Sequence, residues 1–136
     1  MTVTKKPGYR GYIASRAVRG ETTPQHVQNL VIRDYAAKQK ITFLLSATEY
    51  AMPACYMMLS SVLEELDTIE GIILFSVFML PKNRDRRLAV YKRILDTGSV
   101  LHTALEGIVL RKASDISLID DMFLVDQFSA VAEYKL

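Results

Sequence analysis

A serine and two arginines follow the first predicted strand, in the stretch YIASRAVRGETTPQHVQN. Arg16 and Arg19 precede a helix that opens at Pro24, and the free N–H groups at a helix start attract anions. Because arginine binds such groups through paired hydrogen bonds, the stretch predicts a site for a phosphate, pyrophosphate or carboxylate. The competing interpretation is a pair of solvated surface arginines. Ser15 is a candidate ligand contact or nucleophile, although no histidine base is adjacent, or else a strand-end serine bonded to backbone.

Further polar residues lie where a ligand of a parallel sheet is expected, at the carboxyl ends of the strands. Glu49 is a candidate general base or a ligand for sugar hydroxyls, the alternative being an ordinary exposed loop glutamate. His102 forms either core or pocket wall. His26, in the first turn of the first helix, either contacts the anion predicted beside Arg16 and Arg19 or has a structural role. The complete set of predicted ligand contacts is Arg16, Arg19, Gln25, His26, Ser46, Thr48, Ser76, His102 and Glu106, with Ser15 and Glu49 as the catalytic candidates.

These residues need a scaffold, and the chain alternates apolar runs of strand length with stretches of helical periodicity. Such alternation is typical of βαβ units, so we expect an α/β three-layer sandwich with a mainly parallel sheet of four to five strands and about four helices. Thr23 and Ser114 are predicted to cap the first and last helices, and Gly98 to end the third in a left-handed conformation. The predicted strands are 10–15, 41–47, a run from 71, 100–104 and an edge strand at 107–112, and the helices open at 24, 53, 86 and 114.

Composition limits the function classes. The chain has 136 residues, of which 50% are hydrophobic and 24% charged, which predicts one domain (10–136) after a basic segment (1–9). A net charge of +2 makes nucleic acid an unexpected partner, and the basic run KNRDRR is either a phosphate contact or a solvated helix start. The one cysteine, Cys55, predicts no disulfide and no metal site, and we expect no membrane span, no cofactor and a cytoplasmic location.

The last predicted helix, 114–131, is apolar over most of its circumference. A helix of this kind must be covered on more than one side, and a small domain has little surface of its own to do so. We therefore expect a homo-oligomer packed through this helix, the alternative being a fully internal helix. Its apolar residues are Ile116, Leu118, Ile119, Met122, Phe123, Leu124, Val125 and Phe128.

Four stretches, YRGYIASR, PQHVQNLVIRDYAAKQK, ITFLLSATEYAMPACYMML and LDTGSVLHTALEG, resemble a small family known as the sporadic carbohydrate cluster proteins. The resemblance covers nearly the whole chain. It implies a role in bacterial surface-polysaccharide or other carbohydrate biosynthesis, and it brings no established catalytic motif with it.

More distantly, the order of elements is similar to the catalytic domain of the serine recombinases, the resolvases and invertases. In that family a first strand ending Tyr-x-Arg-x-Ser supplies the nucleophile, and a later Asp-Arg-x-x-Arg holds the scissile phosphate. Aligned on Tyr12, those positions hold Ala14 and Arg16 in the first motif, and Phe78, Met79 and Lys82 in the second. The resemblance implies a resolvase-like or flavodoxin-like fold, and the missing nucleophile and cations predict no recombinase activity.

Two functions from different classes follow. The first is a small protein of carbohydrate biosynthesis that binds a phosphorylated or nucleotide-activated sugar, with catalysis left open. The second is a non-catalytic resolvase-like scaffold or sensor that recruits a partner enzyme. Polar residues converging on the strand ends favour the first, and the absence of a base or metal motif favours the second.

Overall fold

The computed structural model describes residues 6–134 of the chain, and side chains over 7–129. One five-stranded sheet forms its centre, in the order β2-β1-β3-β4-β5. Strands β1 to β4 are parallel, and β5 pairs antiparallel with β4 at the edge. The strands are β1 (Lys6–Ala14), β2 (Phe43–Glu49), β3 (Ile69–Leu74), β4 (Val100–Thr103) and β5 (Val109–Leu110). The predicted α/β fold with a mainly parallel sheet is confirmed.

Four helices connect the strands: α1 (Gln25–Gln39), α2 (Met57–Glu64), α3 (Arg84–Asp96) and α4 (Ile116–Tyr134). Chain order and the right-handed rule for parallel crossovers put α1 on one face of the sheet and α2 with α3 on the other. In agreement with this, α2 packs against α3. Within the described residues, no helix is both long and apolar enough to cross a bilayer.

The core lies on the two central strands, β1 and β3, which are buried along most of their length. Gly71 of β3 allows the close approach of β4, because a Cβ there would stand 1.8 Å from the carbonyl oxygen of Val100. The apolar run 41–47 is typical of a strand covered on both faces of the sheet, and that expectation is wrong. β2 is an edge strand, and Leu45 is 78% exposed. An apolar run by itself does not reveal a strand's place in the sheet.

Several predicted element ends are shifted. β1 begins at Lys6, so residues 6–9 of the predicted basic segment belong to the sheet, while 1–5 lie outside the described residues. α2 begins at Met57, because the chain after Pro53 passes through a left-handed residue, Ala54. The predicted left-handed conformation at Gly98 is present, with φ +63°.

Both predicted helix caps are wrong. At the start of α1, Pro24 occupies the N-cap position, and the Gln28 side chain donates to the carbonyls of Ala14 and Thr23. Before α4, a 3₁₀ turn over Ala113–Asp115 replaces a cap at Ser114. Gln28 thus bonds to carbonyls that precede α1, and before α4 the Asp115 carboxylate accepts from the backbone amides of Arg111 and Lys112.

Candidate functional site

A cleft opens at the carboxyl edge of the sheet between β1 and β3. The connection that leaves β1 leads to β2 on one side of it. The connection that leaves β3 leads to β4 on the opposite side. Connections that diverge from adjacent parallel strands leave a crevice at this point, and ligands of open α/β sheets bind in it. The loop after β1, the loop after β2, the segment from Phe78 to Arg86 and two residues of α4, Phe123 and Asp126, form its walls.

The loop after β1 contains a tight two-residue turn at Arg19 and Gly20. Val18 and Glu21 pair across it through two backbone hydrogen bonds, of 2.8 and 3.1 Å. Both turn residues have positive φ, +54° for Arg19 and +80° for Gly20, which glycine adopts freely and arginine does not. The Arg19 side chain is held by Asp126 at 2.8 Å and by the Phe78 ring, whose centroid lies 4.5 Å from Cζ.

Arg16 fastens the loop after β2 to the end of β1. Its Nη1 donates to the carbonyl of Cys55 at 2.6 Å, and its guanidinium lies 4.8 Å from the centroid of the Tyr56 ring. Ser15, one residue earlier, is exposed, and its hydroxyl has no hydrogen-bond partner within residues 7–129. The structure therefore places Ser15 beside the cleft and Arg16 in its wall.

The cleft encloses a cavity of about 510 Å³ that is rich in cations. Arg16, Arg19, Lys82 and Arg86 are among its lining residues, against one acidic residue, Asp126 of α4. Lys82 and Arg86 are not among the predicted site residues, because the run KNRDRR is more typical of a solvated helix start. The available signal was their position shortly after β3, the strand beside β1. We call this space the cationic cavity.

A smaller space of about 310 Å³ lies on the other side of the Arg19–Gly20 turn. The structure brings the predicted residues Ser76 and Glu106 together here, with Ser76 Oγ donating to Glu106 at 2.7 Å. The second oxygen of Glu106 accepts from the Val77 amide at 2.8 Å. We call this space, which is also lined by Glu21 and Thr23, the carboxylate cavity.

Glu49 is 2% exposed, and both its oxygens are in use. They accept from the Tyr12 hydroxyl at 2.7 Å and from three backbone amides, those of Tyr50, Met58 and Leu59. Burial by itself would raise the pKa of Glu49, but these hydrogen bonds outweigh it, and the pKa lies below its ordinary value. Glu49 is an ionised carboxylate that ties β1 to the first turn of α2.

The other predicted residues lie away from the cavities. Gln25 and His26 are exposed on the first turn of α1, and Thr48 is exposed on β2. Ser46 bonds to the Asn29 side chain at 2.6 Å. His102 lies inside the molecule.

His102 is 2% exposed and sits between β4 and α1. Its Nδ1 lies 2.7 Å from the Tyr35 hydroxyl, and the rings of Tyr9 and Tyr35 pack edge-on against it. Its Nε2 has no partner among the described residues. Burial, with the nearby Arg111 as a smaller cause, lowers the pKa of His102 to about 4, so the ring is neutral at physiological pH. His102 is part of the core rather than of the cleft wall.

Within the part of the chain that the structure describes, no group of three or more histidine, cysteine, aspartate or glutamate side chains is arranged to hold a metal ion. The chemistry available at the cleft is that of cations, hydroxyls and carboxylates. Such a set binds anions and polyols.

Comparison with known proteins gives a likeness of fold. No model of a protein family matches the chain, and no curated protein matches it. Among solved structures it is similar to a resolvase family site-specific recombinase from Streptococcus pneumoniae, with a TM-score of 0.62 and 12% identity over 93% of each chain. It is also similar to the N-terminal catalytic domain of TP901-1 integrase, with a TM-score of 0.55 and 12% identity over 92% of this chain and 99% of that one.

The chain therefore has the α/β fold of resolvase-type catalytic domains. At 12% identity this likeness describes the fold and carries no activity with it.

Proposed function

We propose that the protein binds a phosphorylated or nucleotide-activated sugar in the cleft between β1 and β3, in bacterial surface-polysaccharide or other carbohydrate biosynthesis. The observation that carries the binding proposal is the convergence of Arg16, Arg19, Lys82 and Arg86 on one cavity. The carbohydrate part depends on the sequence resemblance to the carbohydrate cluster family.

The charges in the cavity support an anionic ligand. Its carboxylate, Asp126, is already paired with Arg19. Within residues 7–129, no ion pair engages Lys82 or Arg86, and both are exposed. Two exposed cations that make no ion pair among these residues, together with two arginines held by protein groups, match the several oxygens of a phosphate or diphosphate.

The remaining candidates have supporting roles in this proposal. Ser15 stands beside the cleft as a hydroxyl available to the ligand, and Glu49 holds the wall of the cleft in place. Cys55 is a free thiol, which is in keeping with the reducing cytoplasm that we propose as the location.

The second candidate is a non-catalytic resolvase-like scaffold or sensor that recruits a partner. The apolar side chains that α4 exposes, among them Val125 and Phe128, favour it. The two proposals differ in what binds the cleft. The first needs a phosphorylated ligand there, whereas a scaffold alone does not.

A thermal-shift and calorimetric panel on matched variants tests the proposal. The ligands are nucleotide sugars, sugar phosphates, nucleotides, inorganic phosphate and a short DNA duplex, and the proteins are wild type, Arg86→Ala and Arg84→Ala. Arg84 is an exposed arginine on the same helix turn that pairs with Asp120 and does not line the cavity. It therefore controls for loss of charge.

We expect a sugar compound at a hundred times its Kd to add about 2.7 kcal/mol of stability. Arg86→Ala should weaken binding by about 1–3 kcal/mol while Arg84→Ala leaves it nearly unchanged. If no phosphorylated ligand binds, or if both variants bind as wild type does, the cleft is not the site and the scaffold proposal takes its place. Binding of DNA alone would overturn both.

A further inference from the structure

Three cavities lie side by side along the carboxyl edge of the sheet. An apolar groove of about 450 Å³ runs between α2 and α3. It shares Ala54, Tyr56, Pro81 and Arg86 with the cationic cavity. The cationic cavity in turn shares Val18, Arg19 and Phe78 with the carboxylate cavity. These shared wall residues make the three spaces neighbours, with the cationic cavity in the middle.

The apolar groove suits a flat, weakly polar group. Its walls come from Met57, Leu59 and Leu63 on α2 and from Ala89 and Val90 on α3, with the Ser60 hydroxyl among them. Arg86 stands where the groove meets the cationic cavity, and the Tyr56 ring lines both spaces. A group attached to a phosphate at Arg86 would leave water on entering this groove.

The carboxylate cavity suits a group rich in hydroxyls. Glu21, Thr23, Ser76 and Glu106 line it. The buried Ser76 hydroxyl bonds to Glu106 and to the Phe78 amide, so the exposed Glu21 is the carboxylate most open to a ligand. Carboxylates accept strongly from sugar hydroxyls and repel phosphate. The rings of Phe75 and Phe78 add aromatic surface in the same wall. A phosphate is therefore expected on one side of Arg19, and an uncharged polyol on the other.

We propose that the cleft takes a nucleoside diphosphate sugar in one orientation, with the base in the apolar groove, the diphosphate in the cationic cavity and the sugar in the carboxylate cavity. The order of apolar, cationic and carboxylate-lined spaces matches the order of base, diphosphate and sugar along such a molecule. This inference rests on the proposed function and narrows it, because a simple sugar phosphate would leave the groove empty.

The test is calorimetric titration with pyrophosphate, glucose 1-phosphate, UDP, GDP, UDP-glucose and GDP-mannose. The variant Ala89→Gln narrows the apolar groove without adding charge. Its control is Ala37→Gln, which changes an exposed alanine of α1 that lines none of the three spaces. Glu21→Gln removes a carboxylate from the sugar end at an exposed position.

For wild type we expect a nucleoside diphosphate to bind at least about tenfold more tightly than pyrophosphate, and its sugar conjugate more tightly still. Ala89→Gln should lower nucleotide affinity by about tenfold and leave pyrophosphate affinity unchanged. Glu21→Gln should reduce the ratio of nucleotide-sugar to nucleotide affinity toward one. Ala37→Gln should change none of these values.

The proposed function and this inference fail differently. If pyrophosphate or glucose 1-phosphate binds as tightly as any nucleotide sugar, the cationic cavity is a phosphate site and the three-part assignment is overturned. The three-part assignment is also overturned if Ala89→Gln lowers the affinity for pyrophosphate as much as the affinity for nucleotides. If nothing phosphorylated binds, the proposed function itself is overturned.

Discussion

The carboxylate of Glu49, at the end of β2, accepts a 2.7 Å hydrogen bond from the buried hydroxyl of Tyr12 on β1. The same carboxylate accepts from the amides of Met58 and Leu59 in the first turn of α2. Strand and helix are thereby joined through one ionised group. This contact fixes the base of the loop that carries Tyr56 into the cleft.

Glu49→Gln is expected to destabilise the fold by about 1–3 kcal/mol, because an amide NH₂ would face donors that now bond to oxygen. Since folding lowers the pKa of Glu49, the ionised carboxylate stabilises the folded state at pH values above the unfolded pKa. This stabilisation is lost as the pH falls through the folded pKa. Urea unfolding at pH 7 measures the change, with the exposed Glu64→Gln on α2 as control. Equal stability of both variants would contradict the anchoring role.

His102 makes stability depend on pH in a defined window. The folded pKa is about 4 and the unfolded value about 6.5, so between these values only the unfolded chain binds the proton. Stability is therefore expected to fall by up to about 3 kcal/mol as the pH drops from 6.5 to 4. His102→Gln should flatten this slope, whatever its effect at pH 7, whereas His26→Gln at an exposed position should not. A slope unchanged by His102→Gln would show that the ring titrates freely.

Arg87 is a buried cation that holds α3 against α4. It bonds to Asp120 at 3.1 Å and to the carbonyls of Pro81 and Lys82, and its guanidinium lies 4.1 Å from the Phe123 ring centroid. We expect Arg87→Met to lower the free energy of unfolding by about 3 kcal/mol, because the Asp120 carboxylate loses its buried cationic partner. Arg84→Met, which removes an exposed arginine from the same carboxylate, should cost under about 1 kcal/mol. Thermal unfolding of the two variants gives the comparison, and equal losses would argue against a structural role for Arg87.

The exposed apolar residues of α4 predict self-association. Leu124, Val125 and Phe128 are more than half exposed, on a helix that also lines the cationic cavity. We expect wild type to scatter light as a dimer or larger assembly at micromolar concentration, and Val125→Glu with Phe128→Glu to give a monomer. Leu30→Glu changes an equally exposed leucine on α1 and should leave the assembly intact. A monomeric wild type would contradict the prediction.

Local patterns were sufficient for the element types. Apolar runs of strand length and helical periodicity depend on near neighbours in the chain, so strands and helices were predicted close to where they occur. Helix starts were less predictable. At α1, the side chain of Gln28 reaches back to the end of β1, and a Thr23 cap is not formed.

The sequence by itself determined that this protein is an α/β domain with arginines after its first strand, because apolar periodicity and residue type are local properties. Only the tertiary structure decided which charges share a cavity. Lys82 and Arg86 meet Arg16 and Arg19 because β3 lies beside β1, and strand order is set by packing of the whole sheet. Likewise, Glu49 is anchored rather than free because the hydroxyl of Tyr12 and the start of α2 converge on it.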